Sequence, residues 1–177
     1  MKYSVSAPFL MFVAGVALAG EPQPFTALGA YSNFRFTQEH QYGAQVELWK
    51  DGSSLVGLFF YSEGLMGDVP AGPLEKIEFA PATGKITFSA KLTRGEHSCR
   101  AHNNVPGRDL YHFEGVLTAA SITGILKHAD GLHPEQAPTE EKIVLQKLEA
   151  ASIIQYQNRE EWENATKTIL KHRGPKW

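Results

Sequence analysis

The stretch Tyr42-Gly43-Ala44-Gln45-Val46-Glu47-Leu48-Trp49-Lys50-Asp51-Gly52 decides the structural class of this chain. Successive side chains of a strand point to opposite faces, so Tyr42, Ala44, Val46 and Leu48 share one side while Gln45, Glu47 and Trp49 share the other. Asp51-Gly52 then supplies the positive φ that a tight hairpin turn needs. The same alternation returns at Ile86, Phe88, Ala90 and Leu92 against Lys85, Thr87, Ser89 and Lys91, entered through Pro81-Ala82-Thr83-Gly84. Two such segments make the chain β-rich.

Outward from these, weaker alternation marks residues 31–37, 55–61, 74–79, 110–117, 122–128 and 142–148, for eight strands in all. Eight consecutive antiparallel strands joined by hairpin-length turns close into an up-and-down barrel, which removes exposed edges; a two-sheet sandwich is the alternative. Residues 55–61 are apolar on both faces, so they are either covered on both sides or border a ligand cavity on one. Near the C-terminus the period changes: Ile154, Trp162, Ala165 and Ile169 recur at helical spacing, Arg159, Glu160, Glu163 and Lys167 point elsewhere, and Gly174-Pro175 stops the element. The expected fold is therefore all-β, mainly antiparallel: an eight-stranded up-and-down β-barrel over residues 21–150, with one C-terminal α-helix over 151–177 packed on the barrel or plugging one mouth.

Residues 1–20 carry Lys2 near the amine, an apolar run from Pro8 to Leu18, and Ala17-Leu18-Ala19 in the small-x-small pattern of a signal peptidase site. A membrane span needs about 20 apolar residues, and this run is nearer a dozen. The expectation is a cleaved signal peptide, a mature N-terminus at Gly20 or Glu21, no membrane span after its removal, and a periplasmic or secreted location. No Cys follows Ala19, so no lipid can be attached there.

The 177 residues form one domain, large enough to be stable without a disulfide framework. The single cysteine could not build an intramolecular one. Lys and Arg number 17 against 19 Asp and Glu, a formal net charge of −2, so there is no concentrated basic footprint for nucleic acid.

On the first strand, Gly29-Ala30-Tyr31-Ser32-Asn33 places glycine, aromatic and asparagine at alternate positions, and Gly57 and Tyr61 follow one hairpin later. This is similar to the opening of avidin-like and lipocalin-like barrels, the calycin group, in which an aromatic residue on strand one closes the barrel floor. Tyr31 stands where a tryptophan is usual, and the resemblance covers about the first forty mature residues. It implies an eight-stranded barrel with a central cavity open at one end. It does not imply a particular ligand, since one fold hosts many functions.

Among chemistry-bearing groups, His97, Cys99 and His102 have spacings that could reach one zinc or copper ion, against the plainer reading of a solvated polar loop. Cys99 beside His97 could be a reactive thiol, although a loop supplies neither the orienting third group nor the oxyanion hole of a nucleophilic enzyme. Three long connections, residues 62–73, 93–109 and 129–140, are the places where function concentrates. If the face bearing Trp49, Tyr61, His112 and Glu114 is the lumen, it forms an aromatic wall with fixed polar groups; if it faces solvent, these are surface residues. The candidate ligand residues are Tyr31, Asn33, Trp49, Tyr61 and His112. The leading expectation is an exported barrel that binds a small, mostly apolar molecule without catalysis and without a cofactor. The alternative is a protein-interaction module, such as an envelope enzyme inhibitor that uses its long loops.

Overall fold

Gly52, at φ +60, lets Asp51-Gly52 turn strand β3 (His40–Asp51) tightly into β4 (Ser54–Leu65), and the two pair antiparallel along their whole length. The computed structural model describes residues 24–65, 67, 69–99 and 102–177, with the backbone alone at residues 65, 97–99, 102 and 103. The expected signal peptide lies outside the described residues. Ahead of β3 come β1 (Phe25–Ser32) and the short β2 (Arg35–Phe36). After β4 come β5 (Ala71–Pro73), β6 (Glu75–Ala80), β7 (Lys85–Leu92), β8 (Glu96–Cys99), β9 (His102–Pro106), β10 (Asp109–Leu117), β11 (Ser121–Asp130) and β12 (Thr139–Lys147). One helix, α1 (Arg159–Arg173), ends the chain.

The strands form a nearly closed antiparallel barrel in the order β5-β4-β3-β1-β12-β11-β10-β7-β6. Closure between the first and last strands is made by β1 against β12, with Tyr31 opposite Lys147. The remaining seam lies between β4 and β6. Leu74 N donates to Gly57 O at 2.9 Å, joining the two sides at one level. Beyond it, Lys76 adopts a left-handed backbone at φ +52, and the register of β6 slips between Glu75 and Glu78. A bulge of this kind bends its strand. Among the described residues β6 pairs only with β7, so the seam stays open beside Ser54–Val56 and Ile77–Phe79.

The alternating residues divide as their periodicity requires. Val46, Leu48, Phe59, Phe88, Phe113 and Leu145 are almost wholly buried inside and fill the middle of the barrel. Trp49, Val56, Leu58 and Phe60 point outward, where α1 covers them. Residues 55–61 are thus apolar on both faces because both faces are covered. The helix begins where the Asn158 side chain accepts a hydrogen bond from Glu161 N, and Glu160 and Glu161 complement the positive end of its dipole. Trp162 then packs its ring against Trp49 and Phe25, at 5.9 and 6.3 Å between ring centres. Beyond the helix, Lys176 N donates to Thr93 Oγ1 and Trp177 Nε1 to Leu92 O, tying the tail to the end of β7.

Several expectations are corrected. The barrel path holds nine strands rather than eight, because the connection after β4 contributes β5. Gly72 allows this: a Cβ there would strike the Lys91 carbonyl, so only glycine lets β5 cross so close to β7. The first strand starts at Phe25 rather than Tyr31. Its outward residues Phe25, Ala27 and Ala30 are apolar because they meet the cluster of Trp49 and Trp162, which hides their alternation. The 93–109 connection folds into a β8–β9 hairpin that forms a sheet separate from the barrel. Ile154 lies before the helix and is 62% exposed, so its helical spacing from Trp162 was coincidental. The helix packs on the barrel wall and plugs neither mouth. No helix among the described residues is long and apolar enough to cross a membrane.

Candidate functional site

Following each inward-facing series to its end leads to two chemically opposite mouths. At the β3–β4 turn end, Val46 and Leu48 are followed by Lys50, and Ile143 and Leu145 by Lys147. Half-buried Leu28, Leu55, Phe79 and Leu117 fill the space between them and leave an open recess of about 520 Å³. Tyr31 forms part of its floor, and burial pushes the Tyr31 hydroxyl pKa up, so it stays protonated at neutral pH. Lys147 Nζ stands 5.7 Å from the centre of the Tyr31 ring. Gly29 makes that position available. It sits at φ +148 in a bulge of β1, and a Cβ there would lie 2.6 Å from Lys147 Cε.

At the opposite end the inward series finish in charges. Phe59 and Tyr61 lead to Glu63, Phe113 and Tyr111 to Asp109, Leu126 to His128, and Leu92 to Arg94. Arg94 spans this mouth. Its Nε donates to Asp109 Oδ1 at 2.9 Å, its backbone N donates to Asp109 Oδ2 at 3.0 Å, and its Nη1 donates to Glu63 Oε2 at 2.9 Å. His128 Nε2 lies 2.8 Å from Asp109 Oδ1, and the imidazole stacks on Tyr111 with ring centres 4.8 Å apart. Burial raises the cost of ionising Asp109, but the hydrogen bond from His128 and the charge and hydrogen bonds of Arg94 outweigh it and hold the carboxyl below its usual range. Burial drives the Tyr111 hydroxyl well above its usual range, and among the described residues that hydroxyl has no hydrogen-bond partner. Two clefts of about 400 and 430 Å³ flank the Arg94 bridge. Because the carboxylates of Asp109 and Glu63 already hold Arg94, and Asp109 in turn is bonded to His128, the bridge is a brace across β4, β10 and β11.

The expected ligand residues do not come together. Tyr31 lines the lysine-flanked mouth, while Tyr61 is inside at the other mouth, its ring 5.1 Å from the Arg94 guanidinium. Trp49 is on the outside, 1% exposed beneath the helix, and its Nε1 donates to Ile154 O. It pairs with Val56, whereas Tyr61 pairs with Ala44, so Trp49 and Tyr61 are neither neighbours nor on one face. His112 faces outward beside Ser89, and Glu114 outward in an ion pair with Lys85, so the face bearing Trp49, His112 and Glu114 is not the lumen. Asn33 is occupied by the backbone: its Oδ1 accepts from Ala44 N at 2.8 Å, and its own N donates to Ala44 O. For His97, Cys99 and His102 the backbone lies in the β8–β9 hairpin, with Cys99 opposite His102, but their side chains lie outside the described residues.

Among the described residues no three His, Cys, Asp or Glu side chains gather closely enough to hold a metal ion. Comparison with protein-family models, characterised proteins and solved structures finds no match to this chain. The architecture is consistent with a calycin-like barrel.

The residues that sequence reasoning passed over are the chain-end members of the alternating series: Lys50 and Lys147 at one mouth, and Arg94, Asp109 and His128 at the other. Their signal was present. A charged residue at the inward position one step beyond a buried strand interior can only stand at a barrel opening.

Proposed function

We propose that this protein binds a small, mostly apolar molecule in the mouth between Leu28, Leu55, Phe79 and Leu117, and does not transform it. The observation that carries the reading is the recess itself: about 520 Å³ of open space walled by four half-buried apolar side chains at the end of an otherwise filled barrel. Sites for small molecules are concave, largely apolar and largely preformed. Burying an apolar guest there contributes on the order of 25 cal/mol per Å² of apolar surface removed from water. The filled interior moves the binding place from the lumen to its rim, and a calycin-like kinship for the chain accords with it.

Fluorescence titration with Nile red, a neutral dye, tests the reading. Binding should approach one dye per chain, and Phe79→Ala with Leu117→Gln should weaken it about tenfold while circular dichroism stays that of the parent. Equal dye binding by parent and variant would locate the apolar site elsewhere and refute the proposal.

A second reading, a protein-interaction module, draws support from the β8–β9 hairpin, which among the described residues pairs only with itself. Replacing residues 96–106 by a short Gly-Ser turn should leave dye binding intact. Loss of binding to an envelope enzyme upon that replacement would favour the module.

A further inference from the structure

The mouth says something about the head of its ligand as well as its body, an inference that rests on the binding reading above. Lys50 and Lys147 flank β1 on either side and are the two charged side chains that line the recess among the described residues. Neither takes part in an ion pair among those residues. Two unpaired ammonium groups at the rim of an apolar recess complement a negative charge on its occupant. Lys147 is also placed: the Gly29 bulge lets its stem lie across β1, above the Tyr31 ring.

The seam adds a shape. The recess is continuous with the gap between β4 and β6, since Leu55 and Phe79 border both it and an outer cleft that reaches Ile77 and Leu74. The left-handed turn at Lys76 holds that gap open. The slot is polar at its outer edge, where Ser53, Ser54, Lys76 and Arg159 line it, and Leu55, Ile77 and Phe79 leave along its inner side an apolar strip that suits a narrow flexible chain better than a compact ring system.

We propose that the mouth takes a monomeric single-chain amphiphile with a carboxylate head. The head lies at the rim with Lys50 and Lys147, and the chain lies over Leu28 and Leu55 into the β4–β6 seam.

Isothermal titration below the micelle threshold, with decanoate, decanol, decyltrimethylammonium and adamantane carboxylate, tests this on the whole mature chain. Decanoate should bind about tenfold more tightly than decanol, the size of effect two partly exposed ion pairs give, and the preference should shrink in molar salt. Decyltrimethylammonium and adamantane carboxylate should bind more weakly than decanoate. The Lys50→Gln, Lys147→Gln double variant should lose the preference for decanoate and keep the parent's affinity for decanol, which also shows that it is folded.

Equal binding of decanoate and decanol by the parent overturns the carboxylate assignment and leaves the apolar reading standing, as does a double variant that keeps the tenfold preference. Adamantane carboxylate binding as tightly as decanoate overturns the single chain. Co-sedimentation with phosphatidylglycerol vesicles without decanoate binding in solution makes the mouth a membrane contact and overturns the proposal. If none of the four compounds binds, the binding reading fails with it.

Discussion

Asp109→Ala is the substitution that the charged mouth makes most informative. The carboxylate is one-tenth exposed and takes three hydrogen bonds, two from Arg94 just beyond β7 and one from His128 on β11. Hydrogen bonds to a charged group contribute about 1.5–3 kcal/mol each, but these act as one unit and do not add. Removing the acceptor also leaves Arg94, whose side chain is about a quarter exposed, with only Glu63 as a counter-charge. Breaking a buried pair costs about 3–5 kcal/mol, and the partial exposure of Arg94 places this one at the lower end, about 3 kcal/mol. With a urea m-value of about 2 kcal/mol/M, the unfolding midpoint should fall by roughly 1.5 M at unchanged m. Tryptophan fluorescence reports the transition, since Trp49 and Trp162 bury together. The pH dependence follows from the lowered carboxyl pKa. A group held below its ordinary value stabilises the fold fully above the free carboxyl range, near pH 4, and loses that contribution as pH falls through the lower folded value. Asp109→Asn should therefore lack the part of the parent's acid destabilisation that lies below about pH 4. A loss under about 1 kcal/mol for Asp109→Ala, or identical acid limbs for the parent and Asp109→Asn, would refute the brace.

Three further outcomes are expected. Trp162→Ala removes the ring that holds the helix to Trp49 and Phe25, and should cost about 3–5 kcal/mol by thermal unfolding; a loss below 1 kcal/mol would mean that the helix is a dispensable cover. Gly29→Ala forces a side chain into a conformation only glycine tolerates and against Lys147 Cε, so it should cost about 1–3 kcal/mol in the same assay, and an unchanged midpoint would count against the bulge. Export is the third proposal: mass spectrometry of the protein from its native host should give an N-terminus at Gly20 or Glu21, and an intact Met1 on the localised protein would reject it.

The fold was legible wherever one face of a strand is wet. Residues 42–49 and 85–92 alternate cleanly because their outer side is polar apart from Trp49, and β10 to β12 follow the same rule with more scatter. The starting point of β1 was not legible, because α1 arrives from more than a hundred residues away and makes its outer face apolar as well. β5 gave no sign, since three residues beside a glycine become a strand only when β7 lies within backbone contact. Of the candidate site, Tyr31 was singled out by the Gly29-Ala30-Tyr31-Ser32-Asn33 pattern that resembles the opening strand of calycin barrels. Trp49 was misplaced because an outward tryptophan reads the same whether a ligand or a helix covers it.

The sequence by itself determined the period of each strand, and with it which residues share a face, the hairpin at Asp51-Gly52 and the all-β class with a terminal helix. These are local consequences of backbone geometry and side-chain alternation. Which face is inside was decided by the tertiary structure, because burial is a property of what packs against a face. So were the open seam left by the turn at Lys76 and the meeting of Lys50 with Lys147. The two lysines are nearly a hundred residues apart in the chain, and only the closure of β1 between β3 and β12 brings them to one mouth.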